Sequence, residues 1–197
     1  MTNRQAAYPI HSVFTDRWSP RAFDAKPISQ DQLMTLLEAA RWAPSSFNFQ
    51  PWRIVYAHRN DANWATLLAP LIPFNQMWAG NASVLMYFIS DTLTHTGNPK
   101  EATASHSHSF DVGAAWAQLG LQATHMGLYA HGMTGVDFDA ARTALKVPDR
   151  FRIEAAVAVG HKADPSVLLE GLRDKEVPSD RKPIAEFAFA GTFPVDG

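Results

Sequence analysis

Cysteine is absent from the 197 residues of this chain. Disulfide bonds, thiolate nucleophiles and cysteine-ligated metal sites are therefore excluded. Whatever chemistry the protein performs must depend on other side chains or on a bound group.

Strong charge and long apolar runs are also missing. The formal net charge is -2 and charged residues make up 18% of the chain, so composition gives no case for nucleic acid or an anionic membrane surface as partner. The first residues lack the apolar core of a signal peptide, and no run reaches eighteen apolar residues. We expect a cytoplasmic protein, outside the membrane, that binds a small molecule, with residues 1–197 forming a single domain.

Hydrophobic periodicity predicts an alternation of helices and strands. A capping box, Ser29 to Gln32, opens a predicted helix over about 30–43. Residues 84–89 are apolar at every position, which is typical of a strand buried on both faces and favours a layered α/β or α+β fold. Further predicted strands are 53–58 and 153–159, and further predicted helices are 63–68, 110–130 and 138–146.

Three other segments have a less regular pattern. Residues 92–107, rich in Thr, Ser and His, predict a mobile excursion that could act as a lid. Gly113, Gly120 and Gly127 recur every seven residues along the predicted 110–130 helix, which favours close approach of another backbone, from this chain or a second subunit. The tail, about 177–197, is expected to extend over a partner subunit.

The loop from Pro44 to Trp52 is the first candidate binding element. Proline restricts the preceding residue to extended conformations, and Ser45, Ser46 and Asn48 offer hydroxyl and amide groups from this stiffened loop. The loop could cradle a ligand, or it could be an ordinary turn whose aromatic residues enter the core.

The second candidate lies near the start of the chain. Arg17, Ser19 and Arg21 alternate, so in an extended segment their side chains point to one side. Two guanidinium groups and a hydroxyl suit a phosphate or another anion. A solvated basic face is the alternative, and the pair Arg181-Lys182 has the same two interpretations.

Taken in order, these motifs resemble the nitroreductase family of flavoproteins. The resemblance covers about residues 14–187 and rests on Arg-x-Ser-x-Arg at 17–21, Pro-Ser-Ser-x-Asn-x-Gln-Pro-Trp at 44–52, Phe-Asn-Gln at 74–76 ahead of the 84–89 strand, and the late Arg181. It implies an α+β fold with a central, mainly antiparallel sheet flanked by helices, in an intertwined homodimer with FMN at the interface. NADH or NADPH would be the electron donor, and a small molecule the acceptor.

The resemblance also implies cofactor contacts. Arg17 and Arg181 would bind the FMN phosphate with Ser19, in a segment that includes Trp18, while Arg21 and Asn75 would approach the ribityl chain and pyrimidine edge. Backbone amides near Met133, Thr134 and Gly135 would face flavin N5 and O4. The other subunit would contribute Pro44, Ser45, Ser46 and Asn48.

One position departs from the family pattern, because Trp78 stands where a lysine is usual. We consider Trp78 and Phe47 candidates for lining the substrate pocket, and we expect no catalytic side chain, since flavin N5 transfers the hydride. The implied activity is an FMN-dependent NAD(P)H oxidoreductase acting on nitroaromatics, quinones or a related acceptor by ping-pong exchange. Alternatives are a flavin carrier or sensor without turnover, a metallo-hydrolase using His106 and His108, and a serine hydrolase, for which no Gly-x-Ser-x-Gly motif is present.

Overall fold

A four-stranded antiparallel sheet forms the centre of the computed structural model, which describes residues 4–96 and 101–194. The strand order is β1-β2-β6-β5, and every neighbouring pair is antiparallel. This arrangement, with helices packed on the sheet, confirms the predicted α+β fold. The strands are β1 (Trp52–His58), β2 (Val84–Asp91), β3 (Leu93–Thr96), β4 (Glu101–Ala104), β5 (Tyr129–Met133) and β6 (Phe151–Gly160). The helices are α1 (Val13–Asp16), α2 (Gln30–Arg41), α3 (Trp64–Leu68), α4 (Pro73–Ala79), α5 (His108–His125), α6 (Phe138–Ala144) and α7 (Glu170–Arg173).

Helix α2 begins as its sequence predicts. The Ser29 hydroxyl accepts a hydrogen bond from the Gln32 amide at 3.1 Å, and the Gln32 side chain accepts one from the Ser29 amide at 2.9 Å. These reciprocal bonds satisfy two amides that a helix start leaves unpaired. Leu33, Leu36 and Ala40 are buried along one stripe, which packs α2 on the sheet.

Strand β2 separates two apolar layers, because its side chains alternate between the faces of the sheet. Val84 and Met86 belong to the layer that α2 and α5 cover, whereas Leu85 and Tyr87 belong to the layer that includes residues of α3, α4 and α6. All eight residues of β2 are buried. The prediction of a strand covered on both faces is confirmed.

Helix α5 ends earlier than its sequence pattern predicts. Gly127 has a φ of 72° and the helix stops at His125, with Gly127 donating to the Thr124 carbonyl at 3.0 Å and Leu128 donating to the Ala123 carbonyl at 2.8 Å. This pairing is a Schellman motif, which requires a left-handed residue that glycine adopts without strain. The predicted continuation to residue 130 is therefore wrong, and the chain turns into β5.

The glycines of α5 have different neighbours within this chain. No heavy atom comes within 4 Å of a Cβ built at Gly113, and at Gly120 the nearest is Cδ of Arg17 at 3.8 Å. Neither glycine is approached by another backbone of the described chain. Close packing by a second subunit on this face remains a prediction.

Residues 92–107 include a β-hairpin. Strands β3 and β4 pair antiparallel from Leu93 opposite Ala104 to Thr96 opposite Glu101, and all four residues of β4 are exposed, so the hairpin runs over the surface. Its mobility remains a prediction. Positions 97–100 of that segment lie outside the described residues. A bidentate contact from Arg150 to the Asp91 carboxylate, at 2.7 and 2.6 Å, holds the strand end from which the hairpin leaves. The lid function remains a prediction.

The tail after α7 is largely exposed in this single chain. Val177 is 63% exposed and Phe187 63% exposed, and residues 195–197 of the predicted tail lie outside the described residues. Packing of the tail on a partner remains a prediction. Among the described residues, no helix combines the length and apolarity needed to cross a bilayer.

Candidate functional site

Cationic side chains from both ends of the chain line one cleft of about 340 Å³. Arg17 and Arg21 come from the extended segment after α1, and Arg181 comes from the C-terminal tail. One guanidinium nitrogen of Arg17 donates to the Ser19 hydroxyl at 3.3 Å. We name this space the anion cleft; its other lining residues are Trp18, His131, Lys175, Val177 and Ser179.

Two buried or half-buried contacts hold the segment that contains Arg17 and Arg21. Arg4 donates to the carbonyl oxygens of Thr15 and Arg17, each at 2.9 Å. The carboxylate of Glu176, 6% exposed, accepts from the backbone amides of Arg21 and Ala22 at 2.7 and 2.8 Å. Because Glu176 lies 155 positions after Arg21, this contact joins the start of the chain to the segment that leads to Arg181.

Electrostatics make the anion cleft receptive to negative charge. Burial lowers the pKa of the Arg17 guanidinium from its ordinary value, and the nearby positive charges of Arg181 and Arg4 lower it further. Within residues 4–96 and 101–194, no carboxylate lies within 4.0 Å of the Arg17 or Arg181 guanidinium. A bound anion would offset this repulsion, and guanidinium groups bind phosphate oxygens bidentately.

A second space, of about 620 Å³, adjoins the anion cleft because Arg17 and Ser19 line both. We name it the ring cleft. Trp116 and the other side chains of its wall are mostly apolar, and the Trp116 ring packs on Gly132, where a Cβ would lie 3.2 Å from it. The remaining lining residues are Phe14, Ala117, Leu121, Met133, Thr134 and Ala155. A cationic cleft joined to a largely apolar one fits a ligand with a phosphate head and an aromatic ring system.

Asn75 supports the loop that follows β5. It lies on α4, is 7% exposed, and donates from its amide nitrogen to the Gly135 carbonyl at 3.0 Å. A Cβ at Gly135 would come within 2.4 Å of that nitrogen and 2.8 Å of Ile72, so any side chain there would have to displace the buried Asn75 amide from its hydrogen bond. The structure thus brings Asn75 next to Met133, Thr134 and Gly135, while one of its amide hydrogens is already used.

Trp78 does not line either cleft. It is 2% exposed within the core and reaches the anion cleft only through His131, with ring centroids 4.6 Å apart. The indole nitrogen of Trp78 is buried without a hydrogen-bond partner among the described residues. In this chain Trp78 therefore packs beneath the site, and a place in the substrate pocket finds no support from its position.

His131 is a site residue that the sequence did not point to. Burial lowers its pKa to about 4, while a hydrogen bond to the Pro20 carbonyl opposes the shift and the charges of Arg21 and Arg17 add to it. Its ring nitrogen Nδ1 lies 2.8 Å from that carbonyl oxygen. The imidazole is therefore neutral at pH 7 with its proton on Nδ1, so Nε2 is a hydrogen-bond acceptor.

The Ser/Asn loop lies elsewhere on the protomer. The Ser46 amide donates to Asp111 at 3.2 Å at the start of α5, and Ser107 donates to the same carboxylate oxygen at 3.0 Å. Phe47, 88% exposed, and Asn48 have positive φ values of 47° and 55°. Pro44 and Ser45 belong to the same loop, and none of these residues lines the anion cleft or the ring cleft.

The distance along α5 shows how far apart the two candidate elements are. Arg17 approaches this helix at Gly120, nine positions after Asp111. At 1.5 Å per residue this is about 13 Å of helix. Within one chain, the structure brings Arg17, Ser19, Arg21 and Arg181 together but does not bring the Ser/Asn loop to them.

The histidines considered for metal binding have other roles. His106 is exposed, and Nδ1 of His108 lies 2.8 Å from the Ser90 hydroxyl. In the described part of the chain, no group of three or more His, Asp or Glu side chains is arranged to hold a metal ion. The metallo-hydrolase alternative therefore has no geometric support.

Comparison with known proteins agrees with this geometry. The model of the nitroreductase family matches residues 14–161. A crystal structure of an oxidoreductase containing FMN is 47% identical, covers 98% of each chain and superposes with a TM-score of 0.94. An NADH dehydrogenase of Thermus thermophilus is 29% identical over 207 aligned residues, which cover 90% of this chain and 97% of that protein. An uncharacterized 15.4 kDa protein of Mycolicibacterium smegmatis is 35% identical over 127 residues, or 64% of this chain and 82% of its own length. The chain belongs to the nitroreductase family.

Proposed function

We propose that the protein binds FMN and is an FMN-dependent NAD(P)H oxidoreductase that reduces nitroaromatics, quinones or a related small acceptor. The observation that carries the proposal is the convergence of Arg17, Arg181 and Ser19 on one cleft that adjoins a larger, mostly apolar one. The FMN-containing structure at 47% identity and the relative named an NADH dehydrogenase support it.

The phosphate of FMN is assigned to the anion cleft. Arg17 and Arg181 would bind its oxygens, and the Ser19 hydroxyl, already oriented by Arg17, would donate a further hydrogen bond. Lys175 lines the same cleft and adds a fourth donor side chain that the sequence did not suggest. Charge-assisted hydrogen bonds of this kind each contribute about 1.5–3 kcal/mol.

The ring system is assigned to the ring cleft. Met133 and Thr134 line it, and Gly135 follows them in a loop that Asn75 holds. Backbone amides of this loop would stabilise negative charge on the reduced ring. The Arg21 guanidinium lines the anion cleft and would bind the ribityl chain that leads from the phosphate to the ring. FMN, when bound, supplies the hydride chemistry, and the protein binds it, orients it and leaves one face open to donor and acceptor in turn.

A homodimer would complete the site. The Ser/Asn loop presents Ser46 and Asn48 at the surface of its own protomer, and Phe47 and Phe110 beside it are 88% and 82% exposed. Large exposed aromatics grouped in this way are typical of interfaces. We propose that this loop reaches the FMN held by the anion cleft of the other protomer.

The first experiment is reconstitution followed by half-reactions. Purified protein titrated with FMN should become yellow and quench flavin fluorescence, and NADH or NADPH should then bleach the flavin. Turnover with menadione or nitrofurazone should follow. Binding without bleaching would instead support the carrier or sensor alternative, and absence of FMN binding would refute the proposal.

The second experiment tests the shared site. Arg17→Gln and Asn48→Ala protomers should each bind FMN weakly alone, because each dimer lacks one half of both sites. Mixed dimers, formed by refolding the two variants together, should regain tight sites, since one site per dimer then has both residues. If mixing restores nothing, or if light scattering shows a monomer, the shared site is wrong.

A further inference from the structure

The anion cleft has one hydrogen-bond acceptor that the proposed function does not use, and it belongs to His131. Nδ1 of the imidazole donates to the Pro20 carbonyl oxygen at 2.8 Å, so Nε2 carries the lone pair. Nε2 has no hydrogen-bond partner among the described residues, and it is not one of their enclosed polar atoms. Because His131 lines the cleft, this lone pair is available to a molecule that binds there.

The other side chains of the anion cleft leave this acceptor without a donor of their own. The four cationic side chains and the indole only donate hydrogen bonds. The Ser19 hydroxyl oxygen already accepts from Arg17 at 3.3 Å. The Ser179 hydroxyl oxygen already accepts from Arg181 at 3.2 Å. Among the described residues of this cleft, His131 thus offers the one side-chain acceptor that no neighbour has taken.

The surroundings of His131 keep its imidazole uncharged. Burial lowers the pKa of the imidazole to about 4, and the charges of Arg21 and Arg17 lower it further. Lys175 and Arg181 face the same cleft from the C-terminal part of the chain and are cations too. A protonated imidazole would lose its acceptor and add a fifth positive charge to the cleft.

Two contacts fix the orientation of the His131 ring. The hydrogen bond to Pro20 ties the ring to the segment that contains Ser19 and Arg21. Trp78 lies beneath the imidazole, with ring centroids 4.6 Å apart and planes inclined by 36°. Because Trp78 is only 2% exposed, it supports the imidazole from the core. The residue that departs from the family pattern thus acts on the site without lining it.

His131 lies where the anion cleft and the ring cleft meet. It lines the anion cleft, and the next residue, Gly132, lines the ring cleft. Arg17 and Ser19 line both. A molecule with its phosphate in one cleft and its ring in the other must pass its connecting chain across this junction. In FMN that chain is the ribityl group, whose hydroxyls can donate hydrogen bonds.

We propose that His131 is a specificity-determining residue that recognises the hydroxylated chain of the cofactor, with Nε2 accepting a hydrogen bond from a ribityl hydroxyl. The inference rests on the proposed function and deepens it. The cationic side chains select the phosphate, and the neutral imidazole selects the polyol attached to it. A ligand that has only the phosphate or only the ring leaves the acceptor of His131 unpaired.

Three flavins separate the parts of the ligand. FMN has the ring, the chain and the phosphate, riboflavin lacks the phosphate, and lumiflavin lacks the ribityl chain as well. His131→Phe keeps a ring against Trp78 and removes the acceptor. It should raise the dissociation constants of FMN and riboflavin by the same factor, about tenfold for one hydrogen bond, and leave that of lumiflavin unchanged. His125→Phe, the same change at an exposed position of α5, is the matched control and should change none of the three.

Two further measurements distinguish recognition of the chain from a structural role. His131→Gln should recover part of the riboflavin affinity, because its amide can donate to Pro20 and accept from the chain. In the wild type, the nitrogen NMR resonance of Nε2 should move towards the value of a hydrogen-bonded nitrogen when riboflavin is added but not when lumiflavin is added, and this measurement requires no variant to fold.

Three results would overturn the inference. They are unchanged riboflavin affinity in His131→Phe, an equal loss of lumiflavin affinity in that variant, and an Nε2 resonance that riboflavin does not move. Failure of the wild type to bind FMN would instead refute the proposed function, before any variant is compared.

Discussion

Removing the Arg17 guanidinium should weaken FMN binding without weakening the fold. In Arg17→Gln the phosphate loses one charge-assisted interaction, a loss of about 1.5–3 kcal/mol. Since about 1.4 kcal/mol is a tenfold change, the FMN dissociation constant should rise about 10- to 100-fold. Fluorescence titration of FMN-free protein measures it.

The stability of FMN-free protein should not fall in the same variant. Arg17 is half-buried, and its pKa is lowered first by burial and then by Arg181 and Arg4, so its charge is unfavourable in the FMN-free fold. Removing the charge relieves that repulsion and removes only a 3.3 Å hydrogen bond to Ser19. Urea unfolding in the absence of flavin should therefore give an unchanged or slightly higher free energy of unfolding.

Riboflavin supplies the decisive comparison, because it has the ring system and lacks the phosphate. Arg17→Gln should leave riboflavin affinity unchanged while FMN affinity falls. Arg41→Gln, which removes an exposed arginine paired with Glu38 on α2, should change neither. Equal weakening of FMN and riboflavin, or a large loss of stability in FMN-free Arg17→Gln, would show that Arg17 does not act through the phosphate.

Three further variants test the structure around the site. The pKa of His131 is lowered to about 4 from 6.5, so the unfolded chain binds a proton at higher pH than the folded protein does. Urea unfolding of FMN-free protein should therefore show full stability above about pH 6.5 and a loss of up to about 3 kcal/mol towards pH 4. His131→Gln should reduce this loss. Gly135→Ala should lose about 1–3 kcal/mol of unfolding free energy through overpacking against Asn75, whereas Gly171→Ala, with no atom within 4 Å, should lose none. Glu176→Ala leaves two backbone amides without their acceptor. The variant should lose about 1–3 kcal/mol of unfolding free energy and should bind FMN more weakly. Intact FMN affinity in a folded Glu176→Ala protein would show that this contact does not position the anion cleft.

The elements that were predicted well from the sequence depend on local patterns. The capping box at Ser29 and the stripe of leucines placed α2, and the run of apolar residues placed β2 between two layers. The alternation of Arg17, Ser19 and Arg21 likewise predicted that the three side chains line one space, because an extended chain puts alternate side chains on one side. In each case the pattern concerns residues within one element.

The error in the length of α5 arose because a local pattern had two meanings. Gly127 continues a seven-residue spacing, which predicted that it lies within the helix. Its left-handed backbone instead ends α5, and the chain enters β5 two residues later. For residues 92–107 the composition predicted an excursion over the surface but gave no indication that β3 and β4 pair within it. Strand pairing depends on a partner that composition does not reveal.

The sequence by itself determined the layered fold, the family and the residue types able to bind a phosphate, since these follow from periodicity and from short motifs. Only the tertiary structure decided that Glu176 joins the two ends of the chain, that burial keeps His131 neutral, and that Trp78 lies beneath His131 in the core. Each of these depends on which distant segments meet and on how much water remains between them. Periodicity indicates which face of a helix or strand a residue occupies. The burial of that residue and the charges around it depend on neighbours that are distant in the sequence.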